Sequence, residues 1–347
     1  MITEQEIQEI RTKLKESAKP LFFFDDDADG VTSFVMMYKL AGDGKGVCVK
    51  GKPTLEAEYI RKVEEYSPDR VFILDKPIVE QEFLDQVTQE VIWLDHHPVQ
   101  DNKNVKYYNP RKKNDEDNRP TSYWAYQVCK ELPEALWLAG IGVVGDWSLA
   151  LKEELNKEYP DLLPENITSA PEALFKTKLG ELVKIIDFNL KGTTTQVMQS
   201  IKILTRIESP YEILEQSSPK GKYLYKKYAA IKEKYDSLKK GVEVTEEPII
   251  FFKYTDNKLA ISSMLSNELL FENPDKIIIV AREKSNELML SIRSTNINVS
   301  EILKESLTGT NGYGGGHDNA CGACINKDGF ETFMEDFKNN LNKKIKK

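Results

Sequence analysis

The chain has 347 residues, enough for about two domains, and its 48 Lys and Arg against 56 Asp and Glu leave a net charge of −8. Hydrophobic residues at 40% and charged residues at 30% fit a soluble globular protein with an ample core, and exclude a collagen-like, disordered or disulfide-scaffold chain. The acidic balance also argues against a uniformly basic nucleic-acid coat, so contact with phosphates must come from a local patch or from bound cations.

Residues 1–10 are acidic and polar, unlike an export signal. Short apolar runs follow at 20–24 (PLFFF), 46–52 (GVCVKGK), 70–74 (RVFIL) and 90–94 (EVIWL), with apolar residues at helical spacing over 31–42. Continuous apolar strands alternating with helices predict a parallel sheet covered on both faces. The charged stretch 111–119 (RKKNDEDNR) reads as a solvated loop, and 120–151 as buried helix. Residues 170–245 read as helix throughout. Within them the Lys- and Tyr-rich 220–241 ends on lysines and Gly241, a helix stop, and reads as a connector between domains.

From 248 the pattern changes. Two short strands from 248, strands at 276–282 and 287–294, helices near 262–271 and 299–307, a glycine-rich turn at 309–317 and a terminal helix predict a smaller α+β domain. The expected domains are 1–195, 196–245 and 246–347. The apolar runs at 21–24 and 276–281 fall far short of the ~20 residues of a membrane span. Cys48, Cys129, Cys321 and Cys324 do not make a disulfide framework. A reduced, cytoplasmic location with no membrane contact is expected.

The carboxylates carry the chemistry. The run at 21–24 ends in Asp25-Asp26-Asp27-Ala28-Asp29-Gly30, the run at 70–74 in Asp75, and the run at 90–94 in Asp95-His96-His97. In an open parallel sheet the carboxyl ends of the strands share one rim, where ligands bind. Three strands thus bring acidic groups together, where uncompensated they repel one another. Hard divalent cations relieve this, and Asp oxygens with His nitrogens suit Mn2+ or Mg2+. A calcium loop of EF-hand type is excluded, because its twelfth position, a bidentate Glu, is Met36 here and the segment before it is a strand. Only three histidines exist, His96, His97 and His317, all in polar contexts that point to function.

These residues resemble the DHH phosphoesterases. Asp25 to Ser33 (D-x-D-x-D-G-x-x-S), the strand-end Asp75, Asp95-His96-His97 and Asp146 in GIGVVGDWS look like that family's four motifs, and SIRS (291–294) and GGGH (314–317) like its associated C-terminal domain. The resemblance implies an α/β fold, a parallel-sheet DHH domain joined by a helical connector to a smaller α+β C-terminal domain, with the site in a cleft between the two. It implies that Asp27, Asp29, Asp75, His96 and Asp146 hold two Mn2+ or Mg2+ ions, Asp75 bridging. Asp25 stands in a motif where many relatives carry a His-x-x-x-Asp-x-Asp form, so it is a further metal ligand or a group that supports the ligands. His97, with Asp95, is the implied catalytic group beside the attacking water or scissile phosphate. Arg293, Ser294, Gly314, Gly315, Gly316 and His317 are the implied substrate contacts. An arginine fork matches phosphate, and glycines let amide N–H groups converge on an anion.

The D-x-D-x-D-G form and the size lean toward the RecJ-like exonucleases. The expected function is a two-metal phosphodiesterase acting on single-stranded DNA or RNA, or on short oligonucleotides. The alternatives are a hydrolase of oligoribonucleotides, cyclic dinucleotides or nucleotide bisphosphates, and a non-catalytic scaffold with replication or repair protein partners. His317, Cys321 and Cys324 could offer three zinc ligands, but a closed site needs a fourth and no second C-x-x-C exists. GYGGGH lacks the following Lys-Ser or Lys-Thr of a P-loop. The tyrosines of the connector (Tyr223, Tyr225, Tyr228, Tyr235) read as one side of an amphipathic helix with a solvated lysine face. Tyr123 and Trp124 read as core behind the metal site, and Lys343, Lys344, Lys346 and Lys347 as a soluble end.

Overall fold

The computed structural model describes residues 1–256 and 259–345; Lys346 and Lys347 lie outside the described residues. The chain divides into two compact units, Met1–Ala229 and a second beginning at Ala230. The division falls within the helix Pro219–Lys240.

Seven strands form in the first unit: β1 (Pro20–Asp25), β2 (Lys45–Val49), β3 (Thr54–Leu55), β4 (Arg70–Leu74), β5 (Ile78–Val79), β6 (Glu90–Leu94) and β7 (Lys106–Tyr108). Five of them make a parallel sheet in the order β2-β1-β4-β6-β7, while β3 and β5 pair separately. The expected order of apolar runs is realised with β1, β4 and β6 side by side, Phe24 level with Leu74 and Leu74 with Leu94. The side chains of β1 alternate between two covered faces. Phe22 stacks on Phe72 at 5.2 Å and meets Phe34 of the helix Ala28–Ala41, whereas Phe23 meets the edge of Phe83 at 5.5 Å on the other face. Fully burying such a side chain is worth about 1.5–3 kcal/mol, so emptying the Phe23 position to Ala would cost about 3–5 kcal/mol.

Gly30 explains how this helix starts so close to the strand before it. A Cβ there would stand 2.8 Å from the backbone N and O of Asp25, a clash that only glycine avoids. Asp27 caps the helix by accepting the Gly30 N–H at 2.9 Å.

The second unit carries β8 (Ile249–Thr255), β9 (Ile277–Lys284), β10 (Glu287–Arg293), β11 (Gly312–His317) and β12 (Ala320–Asn326), in the order β11-β12-β10-β9-β8. All its pairs are antiparallel except β8 with β9. One face buries Ile279, Leu290, Ile292 and Ile325 against Ile302 of the helix Val299–Ser306 and Phe333 and Phe337 of the helix Phe330–Ile345. The helix Ser262–Glu272 lies on the other, where Ser266 Oγ and Ser291 Oγ are 2.8 Å apart. Among the described residues no helix is long and apolar enough to cross a membrane.

Four expectations need correction. The segment 170–245 is five helices, not one, broken where Thr177, Thr193 and Ser209 leave helical geometry to cap the next segment. Strand β7 has no counterpart in the sequence reading, since three residues are too short for an alternation to show. The stretch 111–119 is not merely solvated, because Asp117 is paired with Arg119 at 2.6 Å and the Asn118 carbonyl contacts His96. The glycine-rich stretch is not a turn but the exposed edge strand β11. A Cβ on Gly314 or Gly316 would lie 2.6 and 2.3 Å from the carbonyl oxygens of Gly322 and Ala320, and Gly316 has φ of +146°. The glycines let the two backbones meet.

Candidate metal centre

The carboxyl ends of β1, β4 and β6 place Asp25, Asp75 and Asp95 on one rim. Asp29 comes from the helix that follows β1, and Asp146 from the end of the helix Ala135–Gly145. Asp75 adopts φ of +57°, uncommon for a residue with a Cβ. Its backbone N–H still reaches the Leu94 carbonyl at 3.0 Å, so the strand pairing extends into the site.

Asp29 is almost wholly buried. Its two oxygens accept the backbone N–H groups of Thr121 and Ser122 at 2.8 and 2.7 Å, the first residues of the helix Thr121–Cys129. A helix N-terminus is a natural seat for an anion. Thr121 Oγ1 in turn donates to Asp75 Oδ1 at 3.1 Å. His96 donates its Nδ1–H to the Asn118 carbonyl at 3.2 Å, which leaves Nε2 with its lone pair. That nitrogen stands 3.5 Å from Asp75 Oδ1, 3.5 Å from Asp146 Oδ2 and 3.9 Å from Asp29 Oδ2.

Two overlapping donor groups result, Asp29 with His96 and Asp146, and Asp75 with His96 and His97, each with ligand atoms within 4.8 Å of one another. The residues present suit a hard divalent cation, with carboxylate oxygens, one or two imidazoles and no thiolate. Among the described residues no such group includes His317, Cys321 or Cys324. The two cysteines are buried strand residues.

The electrostatics agree. Burial, then the charges of Asp29, Asp27 and Asp146, raise Asp75 well above the carboxylate range; burial with Asp29 and Asp27 does the same to Asp146. Asp27 keeps open surface yet is surrounded by protein, and desolvation with the charges of Asp25 and Asp29 pushes it up to about 7. Clustered carboxylates that resist ionisation are what a bound cation relieves.

Asp25 behaves differently from its neighbours. Its Oδ1 takes the Nζ of Lys76 at 3.1 Å, and Lys76 is wholly buried, also donating to the Lys52 carbonyl at 2.6 Å. His97 faces Asp95, its Nδ1 2.8 Å from Asp95 Oδ1. Asp95 is fully buried and also accepts from the His97 N–H, Tyr107 Oη and Asn109 Nδ2 at 3.1, 3.1 and 3.2 Å. Burial lowers the His97 pKa, but Asp95, with Asp27 and Asp29, more than offsets it and holds the ring above its ordinary value.

In the second unit, Gly314, Gly315, Gly316 and His317 are exposed on β11, and a Cβ on Gly315 would meet nothing within 4 Å. Arg293 is tied down, with Nε on Asn267 Oδ1 at 2.6 Å, Nη1 on the Ile292 and Cys321 carbonyls and Nη2 on Ser263 Oγ at 3.0 Å. Burial lowers its pKa to about 10. Ser294 is buried and closes a turn by accepting the Ile297 N–H at 3.1 Å, instead of offering its hydroxyl outward.

Sequence reasoning missed Lys76, the Thr121 and Ser122 amides, the Asn118 carbonyl, and Tyr107 and Asn109. Pro120 before Thr-Ser was a readable helix start and so a readable anion seat. A lysine after a strand-end aspartate reads as solvent-facing, and nothing local signals its burial.

A parallel sheet with strand-end carboxylates, followed by a mixed sheet edged with glycines, is the arrangement of a phosphoesterase fold. Residues 21–167 match the DHH family N-terminal domain and residues 246–347 the DHHA1 domain. The chain belongs to the DHH superfamily, with the RecJ-like pairing of these two domains. Among solved structures it is similar to RecJ of Thermus thermophilus in complex with Mn2+, at 16% identity and a TM-score of 0.68 over 95% of this chain. It spans only 54% of that protein. It is also similar to an exonuclease RecJ bound to manganese (16% identity, TM-score 0.62, 97% of this chain and 94% of the other). A third is a pGpG-specific phosphodiesterase of Vibrio cholerae (13%, 0.52, 93% and 99%). At such identities the likeness is one of fold. No curated protein sequence matches this one.

Proposed function

We propose that this chain is a two-metal phosphodiesterase that hydrolyses single-stranded nucleic acid as an exonuclease. The carrying observation is His96 Nε2 among Asp29, Asp75 and Asp146 with its Nδ1 proton directed away. Asp27, Asp29, Asp75, His96 and Asp146 would hold two Mn2+ or Mg2+ ions, and Asp25, paired with Lys76, supports them from behind. Such ions supply Lewis acidity and lower the pKa of bound water toward neutrality.

The remaining work falls to the chain. Asp95 holds the His97 Nδ1–H and leaves Nε2 as the ring atom for a phosphate oxygen, to which it donates a hydrogen bond and, as the leaving oxygen departs, a proton. Tyr107 and Asn109 hold Asp95 in place by donating to it. Gly314 to Gly316 and His317 offer backbone N–H groups and an imidazole to further phosphates, and Arg293 adds positive charge beside them.

A second reading is a hydrolase of dinucleotides. It is supported by the similarity over 93% of this chain to a pGpG-specific phosphodiesterase. End-labelled single-stranded DNA, RNA and dinucleotides, assayed side by side with Mn2+ and Mg2+, separate the two. Ladders shortening by single nucleotides support the exonuclease, cleavage confined to dinucleotides the second reading, and no cleavage of any of them refutes both. Asp95→Asn should lower kcat about 10- to 100-fold and leave Mn2+ affinity near wild type. Unchanged kcat would remove Asp95 and His97 from the mechanism.

A further inference from the structure

We infer that Trp147 is a stacking platform for the nucleobase of the nucleotide whose phosphate this site binds; the inference rests on the nucleotide-hydrolysing reading above. The helix Ala135–Gly145 ends in a Schellman turn. Trp147 N–H reaches the Val144 carbonyl at 3.2 Å and Ser148 N–H the Val143 carbonyl at 2.9 Å. The position between Asp146 and Ser148 demands the left-handed backbone, which glycine adopts freely and for which it is strongly preferred. Here a tryptophan occupies it at φ of +59°. A bulky residue held in that conformation is an outlier, and such strain persists where a side chain is needed for another purpose.

Packing does not account for the side chain. Of the four tryptophans, Trp93, Trp124 and Trp137 are at most 3% exposed, whereas Trp147 is 43% exposed. Its ring is nonetheless held, with its centroid 6.4 Å from Phe175 in an edge-on contact. Lys184 lies over the Phe175 ring in turn. The next residue toward the N-terminus is Asp146, whose Oδ2 is 3.5 Å from His96 Nε2. An open indole, held against Phe175 and one residue from a carboxylate of the metal centre, is available to stack on a base, and stacking tolerates any base because every base has a π-face.

The exposed indole supplies its own readout. Intrinsic tryptophan fluorescence of the full chain, titrated with AMP, GMP and UMP in Mg2+, should fall on binding. Ribose 5-phosphate, which lacks the base, should leave it unchanged. Trp147→Gly should abolish the nucleotide-dependent change and weaken nucleotide affinity by about tenfold, read by isothermal titration. Its melting temperature should be no lower than wild type, since glycine suits the turn, so the loss cannot be misfolding. Equal affinity in Trp147→Gly, or no base-dependent quench in the wild type, overturns the inference. Neither measurement requires turnover. Quenching by an enzyme that cleaves nothing would retain the platform while refuting the phosphodiesterase, and cleavage with an unaltered KM in Trp147→Gly would do the reverse.

Discussion

The Nζ of Lys76 lies 3.1 Å from Oδ1 of Asp25, both at the ends of adjacent parallel strands, and the lysine side chain is entirely shielded from solvent. This ion pair sets Asp25 apart from the carboxylates that converge on His96. It also puts one positive charge beneath a cluster of negative ones. Removing one member of a buried pair leaves the other uncompensated, at about 3–5 kcal/mol. Lys76→Met should therefore destabilise the protein by about 3 kcal/mol in urea titrations, and Lys76→Met with Asp25→Asn should recover part of that loss. If the double variant is no more stable than the single, the pairing is not what holds Lys76 in the core.

Asp75 makes a second prediction, of opposite sign. Burial and its charged neighbours raise its pKa well above the ordinary value, so an ionised carboxylate there opposes folding at neutral pH. Asparagine removes the charge, can still accept from Thr121 Oγ1 and tolerates positive φ. In EDTA, Asp75→Asn should melt about 2–4 °C above the wild type. Adding Mn2+ should raise the wild-type midpoint and leave that of the variant almost unmoved. A variant that is less stable in EDTA would mean that the repulsion is already relieved by some other group.

Glu90 makes a third, away from the site. It meets Lys13 at 2.6 Å, Arg70 at 2.9 Å and Lys106 at 3.3 Å. Burial opposes its charge, but these three partners prevail and lower its pKa from 4.5 to about 2. Between those values the unfolded chain binds more protons than the folded one, so stability rises with pH across that window. The contribution is complete above about 4.5 and lost as pH falls toward 2. The gap in urea midpoint between wild type and Glu90→Gln should be widest at pH 7, narrow below pH 4.5 and close near pH 2. A gap that does not change with pH would show the substitution acting through packing rather than charge.

How much of this was legible in advance follows from the range of each interaction. The apolar runs at β1, β4 and β6 and the aspartates ending them are local features, and a parallel sheet has one carboxyl edge, so their meeting on one rim could be read directly. The stop at Gly241 and the strands β8, β9 and β10 of the second unit were readable for the same reason. β7 was not, because its three residues show no alternation, and its role in pairing with Asp95 depends on the loop that returns it to the sheet. GGGH was misread as a turn because glycine permits turns and close backbone pairing alike, and only the approach of Gly322 and Ala320 decides between them.

The residue types on their own settled that a cluster of hard oxygen and imidazole donors exists and which strand ends present it, since strand polarity and side-chain chemistry are written along the chain. Folding alone decided which partner each donor takes: Lys76 for Asp25, the start of the helix Thr121–Cys129 for Asp29, Asn118 for His96, Asp95 for His97. Those pairings join residues up to 93 positions apart. They arise from burial, which makes each unsatisfied polar atom seek whatever neighbour the packed chain brings within reach, and no local pattern encodes that neighbour.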